Sequence, residues 1–259
     1  MKQGRLPALL TRSVQLHHGS FMNLILLFKE DFIDINRVRL LGRRYEHARE
    51  VLKVTRGKNL QVGLLGGKTG SATVHSINEK ELELDVLLNT EPPDPLPVTV
   101  ILAMPRPKVF KRVLQGMTAM GVKHILLLNT WRVDKSYWQS PALEPAAIRE
   151  QLILGLEQAR DTILPKVVLQ SRFKPFVEDT LPAIAAGTCA LVAHPGSSQP
   201  CPVNTRQAVT LAIGPEGGFT SYEIEKLVAA GLTSIHIGNR PLRVETAVPA
   251  LLGRLLNCT

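Results

Sequence analysis

Apolar positions along the chain follow two different rhythms. In the first third they alternate with polar ones, as in Asn59-Leu60-Gln61-Val62, in Ser71 to Ile77 and in Glu81 to Leu88. Alternation at short spacing, interrupted by a glycine-rich turn, predicts a small β-barrel or sandwich. A strand-like run, Asn23-Leu24-Ile25-Leu26-Leu27-Phe28, precedes it. Beyond residue 97 the rhythm changes. Val98–Ala103, His124–Leu128, Val167–Leu169, Ala190–Ala193, Val209–Ile213 and Ser234–Ile237 are continuous apolar runs, which predicts strands buried on both faces. Helical spacing lies between them. Phe110, Val113, Leu114 and Met117 form a stripe within Lys108–Met120, which Gly121 stops; Ile148, Leu152, Leu156 and Ala159 form another within Ala146–Ile163. Alternating strands and helices predict an α/β fold, a parallel sheet with helices on both faces.

Between the two rhythms stands Glu91-Pro92-Pro93-Asp94-Pro95-Leu96-Pro97. Four prolines in seven residues fit neither a helix interior nor a central strand. Residues 91–97 therefore read as a linker, 22–90 as one domain and 98–259 as a second. The stretch Met1–Phe21 carries Lys2, Arg5, Arg12, His17 and His18, no acid, and an apolar run too short for a secretory signal. It reads as a disordered extension ahead of Met22.

Composition narrows the class. With 44 % hydrophobic and 20 % charged residues, collagen, disorder and a disulfide scaffold are excluded. No run approaches the roughly 20 apolar residues of a membrane-spanning helix. The formal charge of +9 suggests a polyanionic partner, most simply nucleic acid. Residues 35–75 hold Arg37, Arg39, Arg43, Arg44, Arg49, Lys53, Arg56, Lys58 and Lys68 against only Glu46 and Glu50. That density reads either as a solvated surface or as a patch facing polyphosphate. Cys189, Cys201 and Cys258 lack metal-ligand spacing, which fits a reducing, cytoplasmic setting. Histidines without Cys or carboxylate partners at ligand spacing make a metal site unexpected.

Ligands of open α/β sheets bind beyond the carboxyl ends of the strands. Three loops there stand out: His194-Pro195-Gly196 after Ala193, Gly214-Pro215-Glu216-Gly217-Gly218-Phe219 after Ile213, and Gly238-Asn239-Arg240-Pro241-Leu242-Arg243-Val244-Glu245-Thr246 after Ile237. The middle loop has three glycines, where a structural turn needs one; the surplus lets backbone approach a ligand. Thr220-Ser221-Tyr222-Glu223 then fits a capping box, so a helix starts there and ends at Gly231. Gly63-Leu64-Leu65-Gly66-Gly67-Lys68-Thr69 mimics a phosphate-binding loop but has valine where that motif starts, and reads as a hairpin turn. No GxGxxG opens a βαβ unit, so a dinucleotide fold lacks its fingerprint.

At these loops the chain resembles the RsmE family of ribosomal RNA uridine-N3 methyltransferases, of the SPOUT superfamily. The likeness rests on Ile213 to Phe219 with Glu223, on Ile237 to Ala247, on Arg37-Val38 and His47–Lys53, and on Glu157-Gln158-Ala159-Arg160 with Pro165. It covers most of residues 22–257. It implies a deep trefoil knot in the C-terminal domain, a PUA-like RNA-binding β-barrel before it, a homodimer, and the small-subunit (16S) ribosomal RNA as partner. Its cofactor is S-adenosylmethionine, which the resemblance places against Leu191, Ala193, His194, Ile213, Gly214, Pro215, Glu216, Gly217, Gly218, Ile237, Gly238, Pro241, Leu242, Arg243, Thr246 and Ala247. RNA is assigned to Arg37, Arg39, Arg43, Arg44, His47, Arg49, Lys53 and Arg132. The chain departs from the family at Ala119-Met120, Pro241 and Val244, and carries Trp131-Arg132-Val133-Asp134-Lys135 where many members have an Arg-Ser run.

Uridine N3 bears an imide proton and is a poor nucleophile until that proton leaves. Arg243 is the candidate to stabilise developing negative charge or anchor a phosphate; Glu245 is the candidate base, or else orients Arg243. The same fold acting on another RNA nucleotide, and a non-catalytic RNA-binding assembly factor, are the competing readings.

Overall fold

The computed structural model describes residues 24–256. The extension expected at residues 1–21, and Cys258, lie outside the described residues.

The alternating segments form strands of one mixed sheet. Its strands are β1 (Ile25–Leu27), β2 (Phe32–Asp34), β3 (Arg37–Leu40), β4 (Asn59–Leu64), β5 (Thr69–Ile77) and β6 (Leu82–Thr90), in the order β1-β4-β5-β6-β3-β2. β1 runs parallel to β4, and the other pairs are antiparallel. Inward positions such as Val38, Leu40, Val62, Val74, Leu82 and Leu84 form one buried cluster. The phosphate-loop mimic is the β4–β5 turn, where Gly63 pairs with Thr69 and the Leu64 N–H donates to the Lys68 carbonyl at 3.0 Å. One helix, α1 (Gly42–Glu50), was not anticipated. Only Tyr45 and Ala48 bury on it, too few for the 3.6-residue rhythm to show.

The proline-rich stretch holds no helix or strand and leads into a second sheet. Its strands are β7 (Val98–Ala103), β8 (His124–Leu128), β9 (Lys166–Gln170), β10 (Cys189–Ala193), β11 (Val209–Ile213) and β12 (Thr233–Ile235). They lie in the order β12-β10-β11-β7-β8-β9, every pair parallel. Helices α2 (Pro107–Ala119), α3 (Pro145–Ala159), α4 (Ser221–Ala229) and α5 (Val244–Leu255) cover it. The stripe on α2 is buried at Phe110, Val113, Leu114 and Met117. Each such side chain contributes about 1.5–3 kcal/mol on leaving water. α3 ends with its stripe at Ala159, short of the expected Ile163, because Arg160 turns left-handed at φ 58°. β12 likewise ends at Ile235, and His236 bridges to Pro200 instead. Short helical turns over residues 173–185 were also not anticipated. No helix among the described residues is long and apolar enough to cross a membrane.

The two sheets meet along a seam at the end of α3. Leu24 and Leu26 pack on Ile153 and Leu156, and the Leu24 N–H donates to the Glu157 carbonyl at 3.1 Å. Gly66 N–H donates to the Thr162 carbonyl at 2.8 Å. The Glu157 carboxylate, only 2 % exposed, receives the Arg43 guanidinium in a forked contact at 2.9–3.0 Å. Burial raises the Glu157 pKa, and Arg43 only partly opposes it. A native pKa above the unfolded one means the folded protein holds the proton more tightly. That contribution to stability is full below the ordinary carboxylate pKa and is lost as pH rises through the native value. The stability of wild type relative to Glu157→Gln should therefore fall as pH rises upward from about 4.3. Urea unfolding of both proteins across that range tests this; a difference that stays flat or rises would refute it.

Candidate functional site

The parallel register of three strands builds the site. Ala193 pairs with both Ile213 and Ile235, so the tips of β10, β11 and β12 end in one row. The three loops flagged in the sequence leave from that row, and the one after β10 is bonded to the end of β12. His194 N–H donates to the Ile235 carbonyl at 2.8 Å, Ser197 Oγ donates to the Ser234 carbonyl at 2.7 Å, and Cys201 N–H donates to the His236 carbonyl at 2.8 Å. Gly238 N–H reaches His236 Nδ1 at 3.1 Å.

A cavity of about 310 Å³ lies between them, within the usual size of small-molecule sites. Ala193 and His194 line one side, Ile213 to Gly218 the floor, and Ile237, Gly238, Pro241, Leu242 and Ala247 the other side. Thirteen of the cofactor positions expected from the sequence thus share one space. Leu191, Arg243 and Thr246 do not line it. Leu191 is buried two residues inside β10, while Arg243 is the exposed N-cap of α5 and Thr246 lies on that helix's first turn. Pro195, Phe219, Ile235, His236, Arg240, Val244 and Leu251 line the cavity but were not among the expected cofactor residues. All but Leu251 belong to the flagged loops or the strand ends that feed them. Leu251 reaches the cavity from α5, about one turn beyond the motif.

Two of the glycines carry geometric necessity. A Cβ on Gly214 would stand 3.0 Å from the Phe219 backbone nitrogen, and Gly218 holds φ +71°. The first cannot gain a side chain without moving the loop; the second occupies the left-handed region that L-residues avoid. Glu216 anchors the loop to the exit of β7 by accepting from the Arg106 N–H at 3.0 Å.

Glu223 ties the site to the loop after β8. Its carboxylate, 2 % exposed, accepts from Thr220 N–H at 2.8 Å, Thr220 Oγ at 2.9 Å and Trp131 N–H at 2.7 Å. The first of these, with the Glu223 N–H donating to Thr220 Oγ at 3.2 Å, closes the capping box foreseen for α4. The third was invisible in sequence, since its partners are 92 residues apart. Arg132, assigned to RNA in the sequence, lines this cavity, with its guanidinium donating to the Gly217 carbonyl at 2.5 Å.

Arg243 and Glu245 lie at the start of α5 beside lining residues Leu242 and Val244. Neither side chain forms a hydrogen bond or ion pair among the described residues, so Glu245 does not orient Arg243 here.

The basic stretch is less free than its density suggests. Arg37 pairs with Asp85 at 2.8 Å, Arg39 with Glu83 at 2.9 Å, Arg43 with Glu157 at 2.9 Å, Arg44 with Asp31 at 2.5 Å and Arg49 with Glu50 at 2.9 Å. Arg44 also stacks over Phe28 at 4.5 Å and is mostly buried. His47 is half-buried; burial, then Arg43, lowers its pKa. Lys53 and Arg56 remain exposed. Most of the matching acids come from outside residues 35–75, which is why a local charge count missed them.

Fold and cavity together define an α/β protein with a small-molecule cleft at the tips of a parallel sheet, joined to a β-rich domain. Residues 92–256 match the family model described as RNA methyltransferase domain, and the chain belongs to that family. The RsmE resemblance is borne out by relatives. One, "Ribosomal RNA small subunit methyltransferase E" of Treponema pallidum, is 27 % identical over 244 residues, spanning 88 % of each chain. Among solved structures, a ribosomal RNA small subunit methyltransferase E from Neisseria gonorrhoeae bound to S-adenosyl methionine aligns with a TM-score of 0.70. It is 22 % identical, over 90 % of this chain and 96 % of that one. A putative methyltransferase from Legionella pneumophila, in complex with the cofactor SAM, aligns with a TM-score of 0.69. It is 24 % identical, over 89 % of this chain and 96 % of that one.

Removing the Glu223 carboxylate leaves buried donors unpaired and uncaps α4. Glu223→Ala should lower unfolding stability by about 2–3 kcal/mol, read by urea denaturation. A loss below about 0.5 kcal/mol, the range of ordinary surface changes, would mean the clamp is dispensable.

Proposed function

We propose that this protein transfers a methyl group from S-adenosylmethionine to N3 of a uridine in small-subunit (16S) ribosomal RNA. The carrying observation is the glycine-floored cavity at the aligned tips of β10, β11 and β12. Its walls suit the cofactor's parts. Ile213, Leu242 and Leu251 offer an apolar slot for a purine, and the backbone of Gly214 to Gly218 approaches without side-chain obstruction, leaving peptide groups to meet ribose and amino-acid oxygens. When bound, S-adenosylmethionine supplies an electrophilic methyl on its sulfonium.

The protein's own task is then alignment and proton handling. Holding the uridine ring beside the cleft replaces a bimolecular encounter with a positioned one. N3 lies on the pairing edge, so the base must be unpaired or extruded before it reacts. Glu245 takes the imide proton. Arg243 stabilises the negative charge that develops on the ring. The absence of an Arg243–Glu245 ion pair among the described residues leaves both groups available for these roles.

The wider reading has further parts. Residues 22–90 form a PUA-like RNA-binding barrel, 91–97 the linker and 98–259 the methyltransferase domain. The C-terminal domain carries a deep trefoil knot. Supporting the knot, the β10–β11 loop binds the last turn of α5: Asn204 and Thr205 N–H groups donate to the Arg254 and Leu255 carbonyls at 3.0 and 2.7 Å. A second copy completes the site as a homodimer, in keeping with exposed Leu242 and Pro241 at the cavity mouth. A cytoplasmic setting agrees with the unpaired Cys189 and Cys201.

Arg243→Ala should keep cofactor affinity but lose at least about 100-fold in methyl transfer. Incubation with small ribosomal subunits lacking the modification, followed by nucleoside mass spectrometry, measures this. Full activity in the variant would reject the role of Arg243. Gly218→Val places a β-branched residue at φ +71° in the cavity floor. Calorimetry should show cofactor affinity reduced more than about tenfold, which is over 1.4 kcal/mol. Unchanged affinity would move the cofactor elsewhere.

A further inference from the structure

A second cavity, of about 620 Å³, is lined by residues that directly adjoin those of the first. The two share structure. Arg132 and Gly217 to Phe219 line the first; their neighbours Trp131 and Thr220 to Glu223 line the second. The Glu223 clamp on the Trp131 N–H joins the two segments that line both cavities.

The chemistry of this second cleft is unlike that of the first. Trp131 is 85 % exposed and Tyr222 51 % exposed, and Phe173 also lines the space. Lys226 lies over the Tyr222 ring at 5.8 Å. Lys135 and Lys174 stand at the same cleft, exposed and without an ion pair among the described residues. The acid lining it, Glu223, is already satisfied by its three donors. Thr130, 6 % exposed, lines it too, and its Oγ1 is buried with no hydrogen-bond partner.

We propose that this cleft holds an unpaired nucleotide of the RNA strand that adjoins the target uridine. Trp131 stacks on the base, and Lys135 and Lys174 meet the flanking phosphates. Exposed aromatic faces beside unpaired lysines form a stacking platform for single-stranded nucleic acid. Occupation by a neighbouring base also helps hold the strand open while the target base is out of its stack. The assignment rests on the methyltransferase reading above and adds a binding site to it.

The test uses Trp131 as its own reporter. The chain contains two tryptophans, so Trp138→Phe leaves Trp131 as the single indole. Titration of that variant with short oligouridylate should quench its fluorescence. Trp131→Ala should weaken oligouridylate binding about tenfold and raise KM for small subunits, with S-adenosylmethionine affinity unchanged; Trp131→Phe should restore most of the loss. If wild type methylates subunits but Trp131 is neither quenched nor needed for RNA affinity, the cleft assignment is overturned. It is also overturned if light scattering shows Trp131→Ala converting a dimer to a monomer, since the groove is then a subunit interface. If wild type transfers no methyl yet RNA still quenches Trp131, the enzymatic reading fails and the cleft stands.

Discussion

Parallel pairing of β10 with β11 and β12 is the constraint on which the rest depends. Parallel neighbours leave the chain at the same edge of the sheet, so each strand must be followed by a crossover that returns over a face. The shared row of Ala193, Ile213 and Ile235 makes three of those exits begin at one level. Loops that start level and side by side must share space. Side chains there would fill it, and the glycines of residues 214–218 keep it open. The cavity is thus a consequence of register plus the absence of Cβ atoms, and neither alone would make it.

Glu223 turns that arrangement into a rigid one. Without a capping carboxylate the glycine loop would join α4 through unpaired N–H groups and lose its fixed entry angle. With it, the loop, the helix and the segment after β8 are held at one buried anion. The seam between the sheets works differently. Glu157 is buried against a half-exposed Arg43, so desolvation outweighs the pairing and the carboxylate adds little net stability at neutral pH. Its forked contact does set direction. An anion fixed at the end of α3 can receive Arg43 in few geometries, and that limits how α1 sits against the parallel sheet.

Local chemistry was legible in the sequence. Continuous apolar runs marked the parallel strands, the Thr220–Glu223 spacing marked the start of α4, and the glycines marked the cavity floor. These signals lie within a few residues of each other. What was not legible involves partners far apart. Arg43 and Glu157 are separated by 114 positions, Trp131 and Glu223 by 92. The charge of residues 35–75 looked available because Asp31, Glu81, Glu83, Asp85, Glu91 and Glu157 lie outside that window. α1 escaped notice because a helix that buries two side chains has almost no hydrophobic periodicity. The second cleft escaped for a related reason: Asn129–Lys135, Ser171–Lys174 and Thr220–Glu223 converge only once the sheet exists.

The placement of charge decides how RNA can be engaged. If the paired arginines of the first domain supplied most of the binding, each phosphate contact would have to displace an internal carboxylate, at an electrostatic cost. Arg44 is the extreme case, mostly buried between Asp31 and Phe28. Cations without such partners, Lys53 and Arg56 on the β-rich domain and Lys135 and Lys174 beside the second cleft, carry no such penalty. Binding would then draw on few phosphate contacts and on aromatic stacking next to the reaction site. Salt weakens phosphate contacts strongly and stacking hardly at all. A methyltransferase engaging RNA as proposed would hold the reacting strand chiefly at the place where a base has to leave its stack, and would use its first domain for orientation more than for grip.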